Sequence, residues 1–259
     1  MERVPKILTP LLYDYGDSIF SLLGSKIYGI YLYNSIALED FDGVKSDIDF
    51  VTVLNHKLDD NDIKKIESIH HSLINNFDYA HKMEGMYLLK KDLNKSSGEM
   101  EKYPYFANGN LIKGYYDFNN VTRWVLKNYG VEIMSPSKET LEIHVEWKDI
   151  IETMEYNLFN YWESKIVSNE IQDKSDEFIE WAVLTISRII NTLNEKKIDS
   201  KCASGQYILR KYPGKWDKLV TEALLIRKDK LEESLFEDEE KRSRELVRFI
   251  RYAQSFIKR

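Results

Sequence analysis

Strand-like runs stop early in this chain and helical periodicity takes over, which limits the folds open to it. KIYGIYLY at 26–33, IDFVTVL at 48–54 and MEGMYLLK at 83–90 are short aromatic and β-branched runs and predict three buried strands. The spacing predicts helices over 6–24, ending at Gly24, and over 58–77, where Ile63, Ile66, Ile69, Leu73 and Ile74 share a face behind an acidic first turn. Residues 35–45 read as a connection with a turn at FDG, and the polar stretch after residue 90, KKDLNKSSGEMEKYPYFANGN, reads as a loop. From about residue 119 nearly everything has helical period, best over 119–128, 146–166, 176–195, 200–211, 215–229 and 235–257. Strands confined to one part and helices to the other predict an α+β chain of two domains: an N-terminal α/β domain with a mixed sheet flanked by helices, and a C-terminal all-helical bundle. The change of texture falls between 115 and 145 and is placed at 120/121, giving domains 1–120 and 121–259.

The second strand opens with two acids, in SDIDFVTVL. Residues i and i+2 of a strand project from one face, so Asp47 and Asp49 point the same way with Ile48 opposed. Two ionised carboxylates side by side are costly unless a cation lies between them. Hard oxygens of this kind suit Mg²⁺, which takes one or two protein carboxylates and completes its shell with waters and phosphates. The pair also fits a solvent-facing strand cap. The neighbouring elements add to the first reading. Ser35 follows the first strand at an expected helix N-terminus, where a hydroxyl and unpaired N–H groups hold phosphate oxygens. Glu84, at the start of the third strand, is a candidate metal ligand or general base for an attacking hydroxyl.

Composition narrows the alternatives. The formal net charge is −6, against a general phosphate-backbone binder of nucleic acid and compatible with a cationic small molecule. A lone cysteine, Cys202, excludes a disulfide framework and a cysteine zinc site and fits a reducing cytoplasm. MERVPKILTPLL is not a signal sequence, and no apolar run approaches the roughly 18 residues of a membrane span. There is neither an H-E-x-x-H nor a Walker-type phosphate loop. His70 and His71 diverge on their helix and read as surface residues, while His81 and His144 are isolated. The aromatic clusters YPYF and GYYDF read as packing, and FEDEEKRSRELVRFIRYAQSFIKR reads as an amphipathic helix with a solvated face.

The stretch IYGIYLYNSIALEDFDGVKSDIDFVTV resembles the G-S…D-x-D signature of the DNA polymerase β-like nucleotidyltransferases, most of all the aminoglycoside adenylyltransferases acting on spectinomycin and streptomycin. Three further segments resemble that group in order. They are the strand carrying Glu84, NYGVEIMSPSKETL at 128–141 (its "G-x-x-L-x-G-P" linker), and AVLTISRIINTLNEKKIDSKCA at 182–203 (its "VLTLSRI…G-x-I-x-x-K" segment). The resemblance implies transfer of AMP from ATP–Mg²⁺ to a hydroxyl of a small polar acceptor, an aminoglycoside among them. It implies Asp47 and Asp49 as ligands of Mg²⁺, Glu84 as catalytic base at the acceptor, and Asn34, Ser35 and Ser46 at the nucleotide edge. Arg188 and Lys201 would reach the nucleotide across a cleft between the domains, which suits a triphosphate's need for cations. Tyr115 and Tyr116 fall where the group has an acceptor-binding tryptophan.

Three positions depart from that pattern. Asn34 stands where the group has the glycine before its serine, and Phe178 and Trp181 stand where it has an aspartate and a histidine that bind the aminocyclitol. Trp181 is carried forward as an acceptor-binding candidate. The alternative functions are a non-catalytic relative that binds a nucleotide or another ligand, and a nucleotidyltransferase with a macromolecular acceptor. The expected setting is a cytoplasmic monomer with ATP and a small molecule as partners, no nucleic acid and no membrane.

Overall fold

The computed structural model describes residues 3–168, 171 and 175–257. By compactness the chain divides into two units, Met1–Val145 and Glu146–Arg259. Unit 1 runs α1 (Thr9–Leu23), β1 (Ile27–Leu32), α2 (Asn34–Ala37), β2 (Ile48–Leu54), α3 (Asp60–Asn76), β3 (Met83–Leu89), β4 (Tyr103–Ala107), β5 (Asn110–Gly114), α4 (Asn120–Tyr129) and β6 (Val131–Ile133). Unit 2 runs α5 (Trp147–Tyr156), a π-helical turn (Asn157–Tyr161), α6 (Trp162–Val167), α7 (Asp176–Glu195), α8 (Lys201–Lys211), α9 (Asp217–Arg227) and α10 (Glu239–Gln254). The chain is therefore α+β, a mixed six-stranded sheet followed by a helical unit. The last two residues of the amphipathic C-terminal stretch, Lys258 and Arg259, lie outside the described residues.

The sheet has the order β5-β4-β3-β2-β1-β6. Only β2 and β3 run parallel, and α3 is the crossover that parallel pairing requires. Local chemistry sets the helix ends. Pro10 lies in the first turn of α1, and Gly24 closes that helix at φ 50°. Asp59 and Asp62 form a reciprocal capping box at the start of α3, with the Lys26 ammonium on both carboxylates.

Each strand sends alternate residues to opposite faces. On one face lie Phe50, Thr52, Tyr87 and Phe106, covered by α1 and α3. There the Tyr15 hydroxyl meets Thr52 Oγ1 at 2.7 Å and donates to the Tyr87 hydroxyl at 3.0 Å. His70 belongs to this core, which corrects its expected surface position. It is 1 % exposed, stacks on Phe106 at 3.7 Å and shares a 2.7 Å hydrogen bond with the Tyr87 hydroxyl. Burial lowers its pKa to about 3, so the ring is neutral. The helical spacing Ile66, Ile69, His70, Leu73 carried this signal; the adjacency of His70 to His71 hid it.

The stretch read as a loop after residue 90 contains β4 and the first residue of β5. Ala107 pairs with Asn110 across Asn108 and Gly109, at φ 51° and 74°. Asn-Gly between strands is a strong hairpin signal, because a tight turn of the right twist needs positive φ at both positions. Pro104 lies inside β4. It is tolerated because the β3–β4 ladder covers Gly85↔Phe106 and Met86↔Tyr105 and stops short of it. At the other edge, β6 pairs with β1 through Ile30↔Ile133, and α4 packs on α2. These contacts put residues 121–145 in unit 1, so the division falls after Val145 and not at 120/121.

Close approach of β2 and β3 depends on Gly85. A Cβ there would lie 2.2 Å from the Phe50 carbonyl oxygen and 2.5 Å from its ring. Gly85→Ala is expected to destabilise unit 1 by about 1–3 kcal/mol, read as a lower urea midpoint. An unchanged midpoint would mean that the strand spacing has slack at this point.

In unit 2, α7 is the central helix: Ile179, Ala182, Val183, Leu184, Ile186, Ile189 and Ile190 are all buried, and α8, α9 and α10 pack on it. Gly205 lets α8 approach Leu184 and Leu224, which a Cβ would meet at 3.0 Å. Among the described residues no helix is long and apolar enough to cross a membrane.

Candidate active site

Two carboxylates become neighbours through strand register. Asp49 on β2 is paired directly with Glu84 on β3 in the parallel ladder. Paired residues project from the same face, and Asp47 lies one residue before β2, its charge reaching Tyr116 together with those of Asp49 and Glu84. The face of the pair is the one opposite Tyr15 and His70. Asp47 is exposed, while Asp49 and Glu84 are half-buried.

The surroundings respond to this charge. Tyr116 donates its hydroxyl to Glu84 Oε2 at 2.5 Å. Its phenol pKa is pushed up, first by burial, then by the bond to Glu84 and by the charges of Glu84, Asp49 and Asp47. Tyr33, fully buried, is raised by desolvation and next by Asp49. The backbone N–H of Tyr33 donates to the Asp49 carbonyl at 3.1 Å, tying the end of β1 to the carboxylate strand.

The turn after β1 is formed. Asn34 takes the left-handed conformation at φ 51°, and α2 follows as a four-residue helix. The glycine of the resembling signature is thus replaced by one of the few residues that visit this region readily. The Ser35 hydroxyl donates to the Asp47 carbonyl at 3.3 Å, so the turn and the D-x-D strand are joined directly. Ser46 is buried and serves its own loop: its N–H donates to the Asp42 carbonyl at 3.0 Å, and its Oγ accepts from the Asp42 N–H at 2.9 Å.

The two candidate tyrosines part company. The Tyr115 hydroxyl donates to the Met100 carbonyl at 2.9 Å, and its ring meets Tyr103 edge-on at 6.1 Å. Tyr116 goes to Glu84. Sequence reasoning treated both as an aromatic wall. The Glu84 contact had no local signal, because it depends on the β4–β5 hairpin.

The remaining candidates lie in unit 2. Trp181, half-buried on α7, packs against Trp162 at 4.9 Å, Phe178 at 5.7 Å and Tyr161 at 6.1 Å. Arg188 is half-buried on the same helix, and Lys201 is the first residue of α8, behind the Ser200 cap. The connection between them is pinned by Asn191, which donates to Asp199 Oδ2 at 2.9 Å and to Ser204 Oγ at 3.2 Å. Lys196 closes α7 in the left-handed conformation at φ 51°. It stands where the G-x-I-x-x-K pattern has its glycine, and like Asn34 it takes a positive φ with a side chain present.

Among the described residues no three or more His, Cys, Asp or Glu side chains are grouped closely enough to hold a metal by themselves. The hard carboxylate oxygens of Asp47 and Asp49 fit an ion that fills the rest of its shell with water and phosphate oxygens, as Mg²⁺ does.

Residues 144–255 match the model of the aminoglycoside adenylyltransferase C-terminal domain. Among solved structures, the chain resembles the spectinomycin adenyltransferase AAD(9) from Enterococcus faecialis, crystallised with ATP and spectinomycin. The match has a TM-score of 0.65 at 15% identity and covers 96% of this chain and 98% of that one. No curated protein matches the chain by sequence.

Proposed function

We propose that this chain, whose helical unit belongs to the aminoglycoside adenylyltransferase C-terminal domain family and whose overall fold is that of a spectinomycin adenyltransferase, transfers AMP from ATP to a hydroxyl of an aminoglycoside-type acceptor. One observation in the structure carries the reading. Asp49 and Glu84 are in register on parallel strands, and the Ser35 turn is bonded to the backbone of Asp47, one residue before β2. This supports reading Glu84 as a base beside a metal-type carboxylate pair and a phosphate-type turn.

The residues divide the work as follows. Glu84 takes the proton of the acceptor hydroxyl. The acceptor oxygen then forms a bond to the α-phosphorus, the α–β phosphoanhydride bond breaks, and pyrophosphate leaves. Asp47 and Asp49 are the residues that would hold Mg²⁺, which when bound neutralises charge on the phosphates. The Ser35 hydroxyl and the first-turn N–H groups of α2 are donors for phosphate oxygens. Arg188 and Lys201 are assigned to the nucleotide phosphates on their charge and on their match to the family segment. The low net charge and the cation-attracting carboxylates support a cationic small-molecule acceptor over a nucleic acid.

The test is direct: ATP labelled at the α-phosphate, Mg²⁺, and spectinomycin or streptomycin as acceptor. Label on the antibiotic with matching pyrophosphate release supports the assignment. Magnesium-dependent ATP binding with no transfer to either drug would favour a nucleotide sensor. The main ground for a sensor was the side chain at position 34, and that turn is formed with Asn34 at φ 51°.

A further inference from the structure

The best-held side chain on the carboxylate face is Tyr116, and nothing in the proposed chemistry accounts for how it is held. Its N–H donates to the Tyr103 hydroxyl at 2.9 Å, and its carbonyl accepts from that same hydroxyl at 2.8 Å. The carbonyl also accepts the Phe118 N–H at 2.7 Å. Its ring stacks on Tyr105, centroids 5.0 Å apart at 25°. Tyr103 and Tyr105 are two apart on β4, so one face of one strand supplies both the backbone clasp and the ring support. The segment that follows is fixed as well: Phe118 is buried, and Asn119 caps α4 by accepting from the Val121 and Thr122 N–H groups. All this rigidity ends in one bond, from the phenol to Glu84 Oε2 at 2.5 Å.

A glutamate has three rotatable side-chain bonds, and this one is paired with Asp49, whose charge repels it. Left to itself its carboxylate would swing away from the aspartates, where a base is of no use. A short charge-assisted bond from an immobile donor opposes that swing. We propose that Tyr116 is a positioning residue that holds the Glu84 carboxylate in one orientation beside Asp49, instead of forming part of an acceptor wall. The inference deepens the nucleotidyltransferase reading and rests on it for its catalytic meaning. Burial and the neighbouring carboxylates keep the phenol protonated, so it remains a donor.

Tyr116→Phe removes a single oxygen and leaves the stacking on Tyr105 and the backbone clasp by Tyr103 in place. With ATP, Mg²⁺ and spectinomycin, kcat is expected to fall roughly 10- to 100-fold, the scale of a misplaced catalytic group. KM for ATP and for spectinomycin should stay within about twofold, since binding contacts are untouched. In a Glu84→Ala background the same substitution should add nothing, because it acts through the missing carboxylate. An unchanged kcat, a rise in the spectinomycin KM alone, or effects that multiply in the double variant would each overturn the proposal; the second would restore Tyr116 to the acceptor wall. Urea denaturation of the same four proteins tests the contact without activity. Non-additive midpoints with no transfer to spectinomycin or streptomycin would uphold the held carboxylate and remove the enzyme reading. Additive midpoints would remove the contact itself.

Discussion

Asp49→Asn should lower AMP transfer by about a thousandfold or more while shifting unfolding free energy by less than ~1 kcal/mol. The two halves of this expectation have different causes. Asparagine keeps the shape of aspartate and leaves the β2 backbone ladder intact on both sides, to β1 and to β3. The side chain is only half-buried, so no large desolvated contact is lost. Removing one carboxylate also lowers the negative charge near Tyr116 and Tyr33, whose phenol pKa values are raised first by burial and further by Asp49. In the proposed reaction that charge is what draws a divalent ion and a triphosphate to the strand end. The measurement pairs a transfer assay with calorimetric titration of ATP, with and without Mg²⁺. A variant that folds normally and retains activity within tenfold of the parent sinks the assignment of Asp47 and Asp49. A variant that loses activity only because it unfolds says that Asp49 is a structural residue.

How far such a site can be read from sequence depends on whether its contacts are local. The nearness of Asp47 to Asp49 needs only the sequence, because they stand two residues apart at the mouth of β2. Their partnership with Glu84 needs the β2–β3 register, which a loop and the α3 crossover separate from any local rule. The Tyr116 contact lies further out of reach. It depends on a hairpin whose Asn108-Gly109 turn sits at the end of a polar, turn-rich stretch that reads as a loop. His70 was misjudged for a related reason: attention to its neighbour His71 obscured its place in the Ile66–Leu73 stripe. Asn34 shows the opposite case. A departure from a glycine pattern still leaves the left-handed region open to asparagine, and position 34 takes it at φ 51°. The helical half was the easiest to read, because 3.6-residue periodicity is local. Its division from the first half was misplaced because α4 is helical in sequence but belongs with the sheet.

The largest expected loss of stability lies in that helical unit, at Glu222. This carboxylate on α9 is fully buried, with its Oε1 2.8 Å from Arg242 Nε on α10. That contact is an ion pair without a formed Nε–H hydrogen bond; the carboxylate accepts from the Leu235 N–H at 2.6 Å and from the Ser234 hydroxyl at 3.1 Å, so the segment between the two helices is fastened to the same group. The other end of Arg242 donates to Asp176 at the start of α7, at 2.5 Å. Three helices and a connection thus converge on one pair of charges, of which Arg242 is 4 % exposed. Glu222→Ala leaves the guanidinium buried beside a half-exposed Asp176 and deprives a backbone N–H of its acceptor. A loss of about 3–5 kcal/mol is expected, the cost of stranding one member of a buried pair. Glu222→Gln keeps an acceptor for Leu235 and should lose less. The decisive comparison is a double replacement, Glu222→Leu with Arg242→Met, which removes both charges and should recover most of the stability. Trp216, packed on Phe249 and Tyr252 of α10, provides the fluorescence signal for urea titrations. If the double variant is as unstable as Glu222→Ala, the loss comes from the severed connection to Ser234 and Leu235 and not from the stranded charge. If Glu222→Ala itself is mild, water reaches Arg242, and the pair is not the fastening it is taken to be.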